Sequence, residues 1–406
     1  HNLNLFDNDF EYKKILQRHI RRGLQEIETS WKSTHSIYEW ITQDMMNDIS
    51  IEPNNNSNDV DILLALDKCG IKALLTDTID ASRLIHYTIK LNSPNDIKPF
   101  ENIVQKQLPI MLGTESLTYA NVQGESLTYN ITIAKDESKW KSFDYFNIKK
   151  WILEIPKNST LGVFLGIDEF DKPYYFDLVS APHLFLAGTT GSGKSVTLHM
   201  IITSLMQKSV NDIEFIFIDP KKVELAIYND SSKLSNLSNK QVITENEDME
   251  SALENIVEEM ERRYKILEQK GVQNISDLAI GELKHIIIVV EELADILMSS
   301  NVKFNKNCER LLGRLAQKSR AAGIHLVLVT QRPSSEVLPG TLRSNIPSRI
   351  ALKVQKSSES KIILDETGAE KLVGKGDCLV KILPNTNTKR IHSVFLKSEN
   401  IKDLIN

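Results

Sequence analysis

Residues 183–198 read HLFLAGTTGSGKSVTL, and the way this stretch divides decides the fold. An apolar run, HLFLA, leads into a glycine-rich segment, and the apolar VTLHMIITSLM follows it without a Gly or Pro. That order is strand, loop, helix. The loop carries G-x-x-x-x-G-K-S from Gly188 to Ser195, and each part of the pattern has its own physical task. Glycines let the backbone N–H groups of Gly188, Thr189, Thr190, Gly191, Ser192 and Gly193 turn inward around a phosphate. The helix opening at Val196 adds the partial positive charge of its N-terminus. Lys194 reaches the β- and γ-phosphates, and the Ser195 hydroxyl takes a place on Mg²⁺. ATP and Mg²⁺ are therefore the expected cofactors. As a point charge on phosphates, Lys194 is expected to pack against little else.

The same beat continues outward. From residue 151 on, HLFLA, EFIFID, HIIIVV, HLVLVT and RIALKV alternate with helical segments. Strands apolar along their whole length are covered on both faces, which predicts an α/β fold with a parallel sheet flanked by helices. One intervening segment, DMESALENIVEEMERRYKILEQKG, sets Met249, Leu253, Ile256, Val257, Met260, Tyr264 and Leu267 on one stripe, the pattern of a packed helix.

A phosphate loop needs acidic groups at a second strand end, to hold the metal and orient the attacking water. IIIVVEELAD supplies Glu291 and Glu292 after a buried-strand pattern. Two adjacent carboxylates there are costly unless a cation or a water network uses them. The expected division is Glu292 on the water and Glu291 in the metal shell; the alternative is a solvated pair opening a surface helix. In HLVLVTQRPS, Gln331 ends a third strand, where an amide beside the γ-phosphate can sense it, provided that this strand neighbours the one carrying the loop.

With 406 residues the chain exceeds one ordinary core. Four regions are expected: a helical segment over 1–52, a linker over 53–59 (PNNNSND), a small α+β subdomain over 60–150 and a larger α/β domain over 151–406. In the small subdomain, RLIHYTIKLN (83–92) and SLTYNITIAK (126–135) alternate like half-buried strands, and ENIVQKQLPIML lies between them as a candidate helix. The balance of 49 Lys+Arg against 54 Asp+Glu, a net charge of −5, gives no global basic signature. Cys69, Cys308 and Cys378 are far apart, which excludes a zinc pattern and a disulfide framework and fits a cytoplasmic protein. No apolar run approaches the ~20 residues that span a bilayer.

The strings HLFLAGTTGSGKSV, FIDPKKVEL, EMERRYK, EELADIL, LAQKSRAAGIHLVLVTQRPS, LRSNIPSRIALKV and ILDETGAEKLVGKGD resemble, in that order, the motor domain of the FtsK/SpoIIIE family of double-stranded DNA translocases. The block over 60–150 is similar to that family's smaller α subdomain in layout and position. The resemblance implies a RecA-like P-loop NTPase core, a hexameric ring around duplex DNA, and ATP held between subunits. It places the family roles on Lys194, Ser195, Glu291, Glu292 and Gln331, and an arginine finger acting on the neighbouring subunit on Arg320, with Arg349 as runner-up. Two departures stand out. Glu291 occupies a position where the family usually has Asp, which implies slow hydrolysis or a metal held through water. The chain ends at Asn406 with no room for a winged-helix γ domain that reads DNA sequence, and no membrane anchor precedes the motor, so a soluble motor or a fragment of one is expected. The implied function is an ATPase moving on, or pumping, double-stranded DNA, with residues 1–52 as the place for a process-specific partner. The alternatives are a protein-pumping ATPase like the type VII secretion motors and a slow, nucleotide-gated assembly protein.

Overall fold

The alternating segments of the first third pair into a small antiparallel sheet. In this computed structural model, which describes residues 57–405 apart from 115, 116 and 280, its strands are β1 (Ala73–Asp80), β2 (Leu84–Leu91), β3 (Leu117–Asn121) and β4 (Thr128–Ala134), in the order β1-β2-β4-β3. The helices Ile97–Lys106 and Leu108–Met111 bury Phe100, Ile103, Val104 and Leu108, and Phe100 lies against Tyr119 and Tyr129. Both long alternating runs of the sequence are strands, and ENIVQKQLPIML is helical as expected. β1 and β3 went unread because their exposed faces mix Thr, Asp and Asn into the pattern.

Contacts divide the chain between Leu64 and Ala65. Of the first unit, only the opening of the helix Ser57–Lys68 falls among the described residues. The helical segment expected over 1–52 lies outside them, as do residues 53–56 of the expected linker. Residues 57–59, expected to continue that linker, already belong to the helix.

The larger sheet has nine strands, of which the five apolar runs form one side. After β5 (Gly162–Asp168) and β6 (Pro173–Asp177) come β7 (His183–Ala187), β8 (Ile213–Ile218), β9 (His285–Val290), β10 (Ile324–Thr330) and β11 (Ser348–Leu352), then β12 (Asp377–Lys381) and β13 (Lys389–His392). The order is β6-β5-β13-β12-β11-β7-β10-β9-β8. β11, β7, β10, β9 and β8 are mutually parallel, whereas β12, β13, β5 and β6 continue the sheet antiparallel. The expected parallel sheet is thus the parallel part of a mixed one. The antiparallel strands escaped the reading because they carry polar residues such as Asp377, Lys389 and Arg390, two of which pair with each other inside the fold.

Side-chain alternation explains why the central strands are apolar throughout. Leu184 and Leu186 of β7 face one core, shared with the helices Tyr145–Leu153, Lys194–Met206 and Ser398–Ile405. Phe185 and Ala187 face the other, shared with the helices Asn246–Lys270 and Val302–Lys318. Three layers result. In the helix Lys194–Met206 the side chains Leu198, Met200, Ile201, Ile202, Leu205 and Met206 are all buried, each contributing roughly 1.5–3 kcal/mol as an upper estimate. That packing fixes the helix N-terminus, and with it the loop in front.

The small sheet is tied to the large one at the β5–β6 turn. Asp171 accepts from the Ser82 backbone N–H at 2.8 Å and from its hydroxyl at 2.6 Å, while a His86 ring nitrogen meets the Glu169 carbonyl at 2.8 Å. Among the described residues no helix is long and apolar enough to cross a membrane.

Candidate nucleotide site

The phosphate loop leaves the C-terminal end of β7, and two glycines show how closely it is built in. A Cβ on Gly188 would come within 2.7 Å of Leu352, and one on Gly193 within 2.2 Å of the Gly376 nitrogen; Gly193 also sits at φ +101°. Other segments hold the loop from behind. Thr189 donates its N–H to the Lys353 carbonyl at 3.0 Å, and the Gly376 N–H donates to the Ser192 carbonyl at 2.8 Å. Gly376 closes a Gly-Lys-Gly turn, anchored by Asp377, whose buried carboxylate accepts from the Val373 N–H at 2.8 Å and from Arg390 at 2.7 Å. The turn lies in the string ILDETGAEKLVGKGD, whose letters carry no sign of this task.

Lys194 and Glu291 are brought together. They form an ion pair with side chains only 5% and 1% exposed, so Lys194, expected to pack against little, is in fact buried against a carboxylate from the end of β9. Burial pushes the Glu291 carboxyl up, and Lys194 opposes the shift. Its Oε2 has no hydrogen-bond partner, and the buried Ser192 hydroxyl has none either.

Glu292 is also inside, not in a solvated pair on the surface. Its backbone is left-handed at φ +60°, a costly conformation for a non-glycine residue, and its carboxylate is held by β10. Thr330 Oγ1 donates to it at 2.7 Å, the Gln331 N–H at 3.2 Å and Lys221 Nζ at 3.2 Å. Burial alone would lower Lys221, but Glu292, then Asp295 and Glu291, overcome it and hold the ammonium above its usual value. β10 does neighbour β7, and Gln331 Oε1 accepts from the Thr190 hydroxyl at 2.9 Å.

Ser195 has a partner that the sequence reading missed. Its hydroxyl donates to Glu224 Oε1 at 2.6 Å. His199 and then the Ser195 hydroxyl hold that carboxyl down, to about 2. Glu224 arrives through the loop after β8, which buried Asp219 organises by accepting from the N–H groups of Lys221, Lys222, Val223 and Leu225. The signal was the Asp-Pro at the end of EFIFIDP, but the spacing alone does not say that this loop folds back over two strands to the phosphate loop.

Among the described residues, no cluster of three or more His, Cys, Asp or Glu side chains could hold a metal alone. Mg²⁺ asks for less: one or two protein oxygens complete a shell made mostly of phosphate and water. The Ser195 hydroxyl, with Glu224 beside it and the unpartnered Glu291 oxygen, fits that demand.

The two arginines part company. Arg349 is buried and bonded within its own chain, donating to the carbonyls of Arg343 at 2.7 Å, Ile346 at 3.0 Å and Ile363 at 3.2 Å and pairing with Asp365. It is a structural arginine, which removes the runner-up. Arg320 is exposed and precedes β10, near His183 at the start of β7, where its charge adds to the burial that lowers that imidazole to about 4. It therefore lies beyond the other end of the strands from the phosphate loop, about 17 Å away for five residues of strand.

The cleft over the loop holds about 550 Å³, and its lining includes Thr190, Lys194, Ser195, Gln331, Lys375 and Phe395.

Residues 156–335 match the model of the FtsK/SpoIIIE family. The chain is 35% identical over 356 residues to a protein named DNA translocase FtsK from Lactococcus lactis subsp. lactis, an alignment covering 83% of this chain and 44% of that protein. Among solved structures it is similar to the pCW3 conjugation coupling protein TcpA in its monomer form with ATPγS, at 26% identity and a TM-score of 0.56, covering 86% of this chain and all of the other. It shares the fold of the cytoplasmic domain of the Thermomonospora curvata type VII secretion ATPase EccC, at 22% identity and a TM-score of 0.52, over 62% of this chain and 31% of that one. The fold is that of P-loop ATPases.

Proposed function

From the match of residues 156–335 to the FtsK/SpoIIIE family model, we propose that the chain is an ATPase motor acting on double-stranded DNA, working as a hexameric ring with ATP at the subunit joints. One observation carries the ring. Lys194, Ser195 and Gln331 line one cleft, with Glu291 paired to Lys194 and Glu292 bonded to the Gln331 N–H, while Arg320 stands exposed at the opposite end of the strands. A transition state that needs an arginine can draw this one only from a neighbouring copy. The DNA reading is supported by the name of the 35% identical relative, of which this chain spans under half the length, and the choice of ATP by the ATPγS in the TcpA structure.

In the proposed reaction, phosphates arriving at the loop compete with Glu291 for the Lys194 ammonium. Ser195, with Glu291 or Glu224, would hold Mg²⁺, which would supply charge neutralisation on the phosphates. Glu292, fixed by Thr330 and the Gln331 N–H, orients the attacking water, and the Gln331 amide reports the γ-phosphate to Thr190. Lys221 restrains Glu292 from behind. A neighbour's Arg320 stabilises the charge that develops on the transferring group.

Two measurements test this. Duplex DNA of random sequence should stimulate ATP turnover, and binding should weaken with salt; for ~5 phosphate contacts the counterion slope of about −0.9 each gives a several-hundredfold loss between ~50 and ~200 mM salt. Turnover unmoved by saturating duplex would reject the DNA motor and bring the protein-pumping ATPase forward. Arg320→Ala should keep ATP affinity and lose hydrolysis, and rings mixed from Arg320→Ala and Lys194→Ala subunits should regain part of it. No recovery in rings shown to have exchanged subunits would overturn the trans assignment.

A further inference from the structure

The direction of a nucleotide in the cleft follows from the sheet order. Apart from Lys194, on the helix after β7 itself, the groups set on the γ-phosphate in the proposed reaction lie on one side of β7: Gln331 follows β10, and Glu291 and Glu292 follow β9. The nucleoside must therefore run to the other side, past Val196, toward the turn before β12 and the segment after β13. That end holds Phe395, 65% exposed although it sits in a domain with two well-filled cores. Facing the same space, from the small subdomain, is Arg83. Its guanidinium lies 4.6 Å over the Trp140 ring and donates to the Lys375 carbonyl at 3.1 Å, and Trp140 is itself fixed by an Nε1–H bond to the Lys135 carbonyl at 2.9 Å.

We propose that Phe395 and the Trp140-backed Arg83 form a clamp for the nucleobase, one wall from the motor domain and one from the small subdomain. A flat aromatic base suits both walls: an exposed phenyl ring offers a stacking face, and a guanidinium seated 4.6 Å over an indole offers a planar cation as the second. The clamp rests on the reading of the phosphate loop as a nucleotide site. It adds that the small subdomain touches the ligand directly, so that occupancy of the cleft is felt outside the motor domain.

The test compares ADP with pyrophosphate, both in Mg²⁺, by calorimetry on the full chain. Pyrophosphate fills the loop and leaves the clamp empty. Phe395→Ala should weaken ADP roughly ten- to hundredfold, the range for losing an aromatic base stack, while pyrophosphate changes less than about twofold and Phe395→Tyr keeps near-normal ADP affinity. Equal losses for the two ligands, or no loss for ADP, would overturn the Phe395 wall. Emission from Trp140, isolated by difference from Trp140→Phe, should change with ADP more than with pyrophosphate; equal responses would overturn the Arg83–Trp140 wall. If the unaltered protein binds neither ligand, the phosphate-loop reading itself fails, an outcome distinct from the other two.

Discussion

Lys194→Ala is expected to lower ATP turnover by roughly a thousandfold or more, since one preorganised charge at a developing anion is worth about 10²–10³ and this one also holds the ground-state phosphates. It is also expected to lower the melting temperature. Removing one member of a buried pair costs about 3–5 kcal/mol, and here the carboxylate left behind is 1% exposed. Glu291 has an escape, because burial already pushes its carboxyl up and a proton can replace the lost lysine. The sign follows from that direction. A carboxyl raised in the folded state costs nothing below its unfolded pKa of ~4.3, and the cost grows as pH rises through the folded-state value. The variant should therefore be near wild-type stability at pH ~4 and increasingly deficient toward pH ~8. Adding Glu291→Gln should restore the melting temperature without restoring turnover. A deficit that ignores pH, or one the double variant leaves in place, would mean that the loop itself had unfolded; turnover within twofold of wild type would remove Lys194 from the chemistry.

Glu292→Gln separates binding from hydrolysis. The amide keeps one acceptor for Thr330 and the Gln331 N–H but turns an NH₂ toward Lys221, and it cannot organise a water as a carboxylate does. Turnover should fall about 10²–10⁴-fold, the span for a positioned acid or base, while ATP affinity stays within a few-fold. Affinity measured alongside single-turnover hydrolysis decides it: loss of both together would make Glu292 a structural residue whose left-handed backbone, rather than its carboxylate, matters.

The parts legible in the sequence were those in which one short segment does one job. The phosphate loop, the buried strand runs and the acidic strand end each announce themselves locally, because burial on two faces and phosphate chemistry leave few residue choices. The adjacency of β10 to β7 was only conditional in the sequence, and the fold supplies it. What could not be read is what arrives from a distance. Glu224 reaches Ser195 through a loop after the far strand of the sheet, Lys375 comes from a turn before an antiparallel strand whose apolar pattern is broken by Asp377, and Arg83 comes from another subdomain. Arg349 shows the opposite failure: an arginine in a family string looked available, and only its four partners inside the chain reveal that it holds β11 to its neighbours.

The close approach of Gly193 to Gly376 matters to anyone who would transplant this loop. Residues 188–195 look like a portable cassette, yet their floor is the backbone of Lys375 and Gly376 and their flank the carbonyl of Lys353. Grafted alone onto a new scaffold, the octapeptide would keep its letters and lose its shape. The smallest unit that can be moved and still curl around a phosphate runs from β7 through the turn ahead of β12, so what reads as a short linear motif is, for an engineer, a discontinuous part spread over most of the domain.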